Sequence, residues 1–142
     1  SWLGMLEAGA TTMWEWWDGV AADGTVRGSL NHYGKGAVAA FLHTHVAGIR
    51  LPENPGVDEA GYARVRIAPV PGPTLTRAES RQQTPAGPLT VRWAIDGSTF
   101  TLDVSLPPAT TADVDLPDGG RIRVHGGEQR FRCLLSRTPA EE

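Results

Sequence analysis

The apolar positions along the chain follow two periods, and the change comes near residue 60. Before it they recur at intervals of three and four. Trp2, Met5, Leu6 and Gly9 form one stripe, and Val38, Phe41, Leu42, Val46 and Ile49 fall near one face of a second. That spacing lines side chains along one side of a helix. It predicts helix, aromatic loop and helix over residues 1–50. Ser29 or Asn31 would cap the second helix, which runs to about Ala47 with Gly48 at its C-terminal side. Gly34, Gly36, Ala37, Ala39 and Ala40 keep this helix slim, as close packing among other helices requires. The first stripe starts at once, without a polar lead-in, as if the chain were a piece of a longer one.

Residues 51–61 are rich in Pro, Gly, Asn and Asp and read as a connector. Beyond them apolar and polar residues alternate with a period of two, the mark of strands with one face buried. Runs at 62–70, 75–84, 89–95, 99–106, 110–116, 121–125 and 129–135 are separated by Asp96-Gly97, Pro117-Asp118-Gly119-Gly120 and other turn residues. Seven short strands at such spacing predict an antiparallel β-sandwich over residues 62–142, with a frayed tail at 139–142. The expected fold class is therefore mixed and mainly β, with a short helical segment at the N-terminus. Trp93 alternates with Leu89, Val91 and Ile95, which places it in the core; pointing outward, it would be a platform for a sugar. Cys133 shares a face with Phe131 and Leu135 and reads as a small core residue.

Composition narrows the classes of function. A net charge of −3, with twelve arginines scattered and no basic block, argues against a nucleic-acid partner. No apolar run is long enough to span a bilayer, so no membrane partner is expected. The single cysteine excludes a disulfide within the chain. His43 and His45 are two apart on a predicted helix, so they point roughly 200° apart and cannot share a metal ion. No metal site and no cofactor are expected.

Candidate chemistry gathers at residues 10–18, where Glu15 stands between Trp14 and Trp16 and is followed by Trp17 and Asp18. Flat aromatic faces suit the C–H faces of a sugar ring, and a carboxylate beside them can act on a glycosidic bond. The same residues could equally be an aromatic plug at the end of a helix, with Glu15 merely solvated. A second motif, Ser29-Leu30-Asn31-His32-Tyr33-Gly34, sets His32 near the start of the second helix. There it either faces a site or supports the cap through hydrogen bonds.

Taken in order, Ala10-Thr11-Thr12-Met13-Trp14-Glu15-Trp16-Trp17-Asp18 and then Ser29-Leu30-Asn31-His32-Tyr33-Gly34-Lys35-Gly36-Ala37-Val38 resemble the C-terminal portion of bacterial α-L-rhamnosidases, glycoside hydrolase family 78. The likeness continues through Ile67-Ala68-Pro69, Val91-Arg92-Trp93 and residues 107–116. It implies that residues 1–50 are the last helices of an (α/α)6 catalytic barrel, 51–61 a connector and 62–142 the β-sandwich that follows it. It also implies inverting hydrolysis of terminal α-L-rhamnosides. Glu15 would be the general base, with His32, Trp14 and Trp16 against the sugar. The partners would be a rhamnose-containing glycoside and the rest of the barrel.

Inversion needs a second carboxyl group ~6.5–9.5 Å from the base. Asp18 shares the loop of Glu15 and Glu7 lies in the preceding helix, so neither is a plausible acid. The chain alone is therefore expected to be inactive. Two other readings stay open: a non-catalytic structural or carbohydrate-binding sandwich, and a helical-barrel glycosidase acting on another sugar.

Overall fold

The computed structural model describes residues 1–135, so the tail expected to fray lies outside the described residues. The chain forms two compact units, Ser1–Phe41 and the part from Leu42 onward. The first unit opens with helix α1, Trp2–Glu7. The Ser1 hydroxyl caps it by accepting from Gly4 N–H at 3.1 Å. Of its stripe only Met5 is buried. A long irregular segment follows, tied by a small hairpin in which Val20 bridges Val26 around Asp23-Gly24. Gly24 takes a φ of +83°, and Asp23 accepts from Thr25 N–H at 2.9 Å, so the turn read from Asp-Gly is present.

The second helix is shorter and less regular than its apolar spacing suggested. Neither Ser29 nor Asn31 caps it. It begins with a 3₁₀ turn at Gly34–Ala37, becomes helix α2 at Val38–Phe41, and runs on into a π-helical turn at Leu42–Val46. Two glycines in the first four residues hold helix nucleation back to this point. At the far end Gly48 stops the helix with a φ of +86°. A Cβ there would stand 2.2 Å from Pro69 N, so only glycine allows the backbones to touch.

The second unit is one curled six-stranded sheet. Its strands are β1 (Ile49–Arg50), β2 (Arg64–Ile67), β3 (Arg77–Thr84), β4 (Gly87–Asp96), β5 (Thr99–Asp115) and β6 (Arg121–Leu134). Every run read as a strand contributes, but four of the seven are fused into two long strands. β5 continues through Pro107-Pro108 and β6 through Gly126-Gly127, and the two pair along their whole length except for a register shift between Leu106 and Thr111. The shift is the bend. A Cβ on Gly126 would lie 2.6 Å from Pro108 Cα, so glycine lets β6 cross the corner.

Each half of β5 has its own second neighbour. The first half pairs with β4, and β3 lies beyond it. The second half pairs with β2, and β1 lies beyond that. The β2–β5 pairing is parallel, a departure from the otherwise antiparallel sheet, because β3 and β4 intervene in the chain and allow the crossover. Even-numbered residues of β5 face inward on both sides of the bend, and the two halves share one core of Val65, Ile67, Val91, Trp93, Phe100, Leu102 and Val114.

Trp93 is 1 % exposed, and its indole N–H donates to Val46 O at 2.8 Å. A stacking platform at Trp93 is thereby ruled out: the ring fills the core, 5.8 Å from Phe100. Cys133 is buried as expected, and burial pushes its thiol pKa up. Several of the scattered arginines turn out to be paired across strands. Arg64 and Arg123 both hold Asp113, at 2.7 and 2.6 Å, Arg66 holds Asp115, and Arg130 holds Asp103.

Candidate functional site

The two motifs of the N-terminal unit lie side by side. Residues 12–15 run along residues 29–32: His32 N–H donates to Met13 O at 2.7 Å, the Thr12 hydroxyl to Leu30 O at 2.5 Å, and Glu15 N–H to Ser29 O at 2.8 Å. Two segments more than a dozen residues apart in the chain are thus joined by backbone pairing without forming a regular strand. Backbone groups that must find partners somewhere find them here.

Glu15 closes this pairing with its side chain. Its Oε2 accepts from Ser29 N–H at 2.9 Å, while Oε1 accepts from no group among the described residues. Ser29, whose hydroxyl accepts from Asn31 N–H at 3.1 Å, gives its backbone to the carboxylate instead of capping a helix. Gly28 makes room. It sits at a φ of +67°, and a Cβ there would stand 2.8 Å from Glu15 Oε2 and 2.6 Å from Trp16 Cδ1. Nothing in the sequence beyond a glycine next to a serine points to this role.

The tryptophans around Glu15 have different environments. Trp14 is 5 % exposed and packs against Gly19, where a Cβ would meet the indole at 3.1 Å. Trp16 is 43 % exposed, and the Arg27 guanidinium lies 4.0 Å from its ring centroid. Arg27 also reaches Asp18, at 3.4 Å. Trp17 is packed edge-to-face against Trp2, 5.1 Å between centroids, and carries the Lys35 ammonium 4.5 Å from its own ring centroid. Lys35 also donates to the backbone carbonyl of Glu15.

His32 is half-buried. Its Nδ1 accepts from Gly34 N–H at 3.1 Å, which in the neutral ring leaves the proton on Nε2. The ring stacks on Tyr33 with centroids 5.0 Å apart. Of the two readings offered for His32, the supporting one is seen: one nitrogen holds the turn, and the other is a donor without a partner among the described residues. No group of three His, Cys, Asp or Glu side chains among the described residues could hold a metal ion, and no helix among them is long and apolar enough to cross a membrane. What the arrangement offers is a carboxylate held by one oxygen, an imidazole N–H, and aromatic surface beside them.

Comparison with known proteins assigns both parts of the chain. Residues 1–46 match the bacterial alpha-L-rhamnosidase 6 hairpin glycosidase domain, and residues 48–131 match the bacterial alpha-L-rhamnosidase C-terminal domain. An alpha-L-rhamnosidase of Streptomyces avermitilis is 39 % identical over 121 residues, which is 82 % of this chain and 11 % of that protein. The crystal structure of an α-L-rhamnosidase from Aspergillus terreus superposes with a TM-score of 0.81 at 34 % identity, covering 94 % of this chain and 16 % of that one. A Streptomyces avermitilis α-L-rhamnosidase solved in complex with L-rhamnose gives 0.76 at 35 % identity, covering 94 % of this chain and 15 % of that one. The chain belongs to the bacterial α-L-rhamnosidase family, and it spans about a tenth of the length of the curated relatives it matches.

Proposed function

We propose, from that membership, that this chain carries the general base of an inverting α-L-rhamnosidase that hydrolyses terminal α-L-rhamnosides. Residues 1–50 would close a helical catalytic barrel whose remaining helices are the partner, and residues 62–142 would be the sandwich that follows it. Glu15 takes a proton from water as the water oxygen bonds to the anomeric carbon. The bond from that carbon to the glycosidic oxygen breaks, its electron pair stays on the leaving oxygen, and a carboxylic acid from another part of the barrel protonates it. The base and acid would stand ~6.5–9.5 Å apart, on opposite faces of the sugar. Asp18, which shares the loop of Glu15 and meets Arg27 at 3.4 Å, and Glu7, on α1, would not supply that acid.

The observation that carries this reading is the state of the Glu15 carboxylate. One oxygen is anchored on Ser29 N–H at 2.9 Å and the other meets no donor among the described residues, which suits a group that must hold its orientation and still accept a proton from water. His32 would give its Nε2–H to a sugar hydroxyl. Trp16 would offer exposed ring surface, and Trp14 the wall from which the turn projects.

The test is Glu15→Gln in the full-length enzyme, assayed on an aryl α-L-rhamnoside with the anomer of the first-formed sugar read by NMR. Loss of a general base lowers kcat by ~10²–10⁴. The expected outcome is a fall of that size at an unchanged melting temperature, with β-L-rhamnose released first by the unmutated enzyme. The 142-residue chain by itself should show no turnover. A Glu15→Gln enzyme that keeps its rate would move the base elsewhere.

A further inference from the structure

Glu15 is held by its N–H, by one carboxylate oxygen and by its backbone carbonyl, and the third of these holds belongs to the chain's one lysine. Lys35 lies in the 3₁₀ turn Gly34–Ala37, directly after the Asn31-His32-Tyr33 motif. From there its half-buried side chain reaches back across the paired segments. The ammonium donates to Glu15 O, stands 3.5 Å from Trp14 O, and lies 4.5 Å from the centroid of the Trp17 ring. The two carbonyls belong to the peptide units on either side of the Glu15 Cα. A cation shared between them fixes both dihedrals of the residue whose side chain is to meet water.

We propose that Lys35 is a positioning residue for Glu15: by gripping the Trp14 and Glu15 carbonyls it sets where the carboxylate stands. This rests on the reading of Glu15 as the base. The chemistry favours lysine for the task. Three rotatable donors on a compact ammonium can serve two carbonyls and still present a face to an indole, whereas a planar guanidinium favours a paired acceptor such as a carboxylate. Charge-assisted bonds to carbonyls are about twice as strong as neutral ones. Trp17 has a matching role. Packed edge-to-face with Trp2, it lies against the ammonium, which stands 4.5 Å from its ring centroid.

A misplacement of about 1 Å at a reacting group can cost ~10²-fold in rate. Lys35→Met in the full-length enzyme keeps an unbranched apolar stem, one atom shorter, and loses the donor. It should lower kcat ~10–100-fold with KM within about twofold. Glu15→Gln in the same assay separates the two ideas. If that variant stays active, the base reading fails. If it is inactive while Lys35→Met keeps the full kcat, the positioning inference alone fails. Should Lys35→Met melt lower than the unmutated enzyme, the decision passes to Lys35→Cys alkylated with bromoethylamine, which restores an ammonium at nearly the native reach. Within this chain the one native cysteine, Cys133, is buried, and the unmutated enzyme given the same bromoethylamine treatment is the control. Recovery of kcat to within about threefold on aminoethylation upholds the role. A modified enzyme that melts like the unmutated one yet stays slow overturns it.

Discussion

The two units of this chain divide burial and chemistry between them. Among the described residues the part from Leu42 onward is closed upon itself: Val65, Ile67, Leu89, Val91, Phe100, Leu102 and Val114 have no exposed surface, and several charged residues, Arg64, Asp113 and Arg123 among them, are paired across neighbouring strands. Within Ser1–Phe41 only Met5 and Trp14 among the large apolar residues are buried, while Trp2, Leu3, Leu6, Trp16, Trp17, Tyr33 and Phe41 are exposed. Yet all the candidate chemistry is in this first unit. Its order comes from backbone pairing and two cations on indoles, which direct side chains but supply little of the apolar burial that dominates stability. A segment with so much exposed apolar surface suits the place proposed for it, where other parts of a longer chain would cover it. The sheet unit has no such need.

The largest expected effect tests whether the sheet unit carries the stability of the chain. Phe100 is fully buried against Trp93, and Phe100→Ala leaves a cavity that should cost ~3–5 kcal/mol. In denaturant unfolding of the 142-residue chain the midpoint should fall sharply with the slope unchanged. A loss below about 1 kcal/mol would mean that the core is not where the stability lies.

That division is legible in the sequence where periodicity speaks and hidden where the backbone bends. The alternation around Trp93 is enough to place it in the core, since inward positions in a strand recur every second residue. Pro107-Pro108 and Gly126-Gly127 read as strand ends, but the bend they make is a corner within β5 and β6. A pattern of turn residues cannot distinguish a corner from an end. The spacing from Val38 draws Ile49 toward a helix, though Ile49 and Arg50 form β1. At the site, Glu15 and His32 stand out by their motifs, whereas Gly28 and Lys35 do not. The first depends on a positive φ and the second on a reach of twenty residues, and neither leaves a periodic trace.

A smaller effect is read by pH within the sheet unit. Asp113 accepts from Arg123 and from Arg64, and these bonds hold its pKa below the ordinary Asp value although burial pulls it the other way. Asp103 is lowered in the same direction by Arg130. A carboxyl group whose pKa is lower in the folded state binds protons less readily there than in the unfolded chain. Its contribution is therefore complete above the unfolded value of about 3.9 and is lost as pH falls through the lowered folded value. Asp113→Asn should cost about 1 kcal/mol at pH 7. It should also flatten the fall in melting temperature below about pH 4. An unaltered acid limb would assign the acid sensitivity to other carboxylates, with Asp103 the next to change.

The smallest effect in the chain alone should become a large one in the full-length enzyme, and that contrast defines what the first unit is for. Leu6 lies on α1 with 65 % of its surface exposed, beside Trp2 and Met5. In the 142-residue chain Leu6→Ser removes apolar surface that is already in water, so stability should change by no more than ~0.5 kcal/mol. In the full-length enzyme the rest of the glycosidase domain would cover this stripe, and the same substitution should cost ~1.5–3 kcal/mol, the value of burying a leucine. Thermal melts of both proteins with and without the substitution measure the difference. A near-zero effect in both would leave α1 solvent-facing in the parent enzyme, and the exposed tryptophans would then need another occupant. A loss in the short chain as large as in the long one would mean that α1 already packs its stripe there.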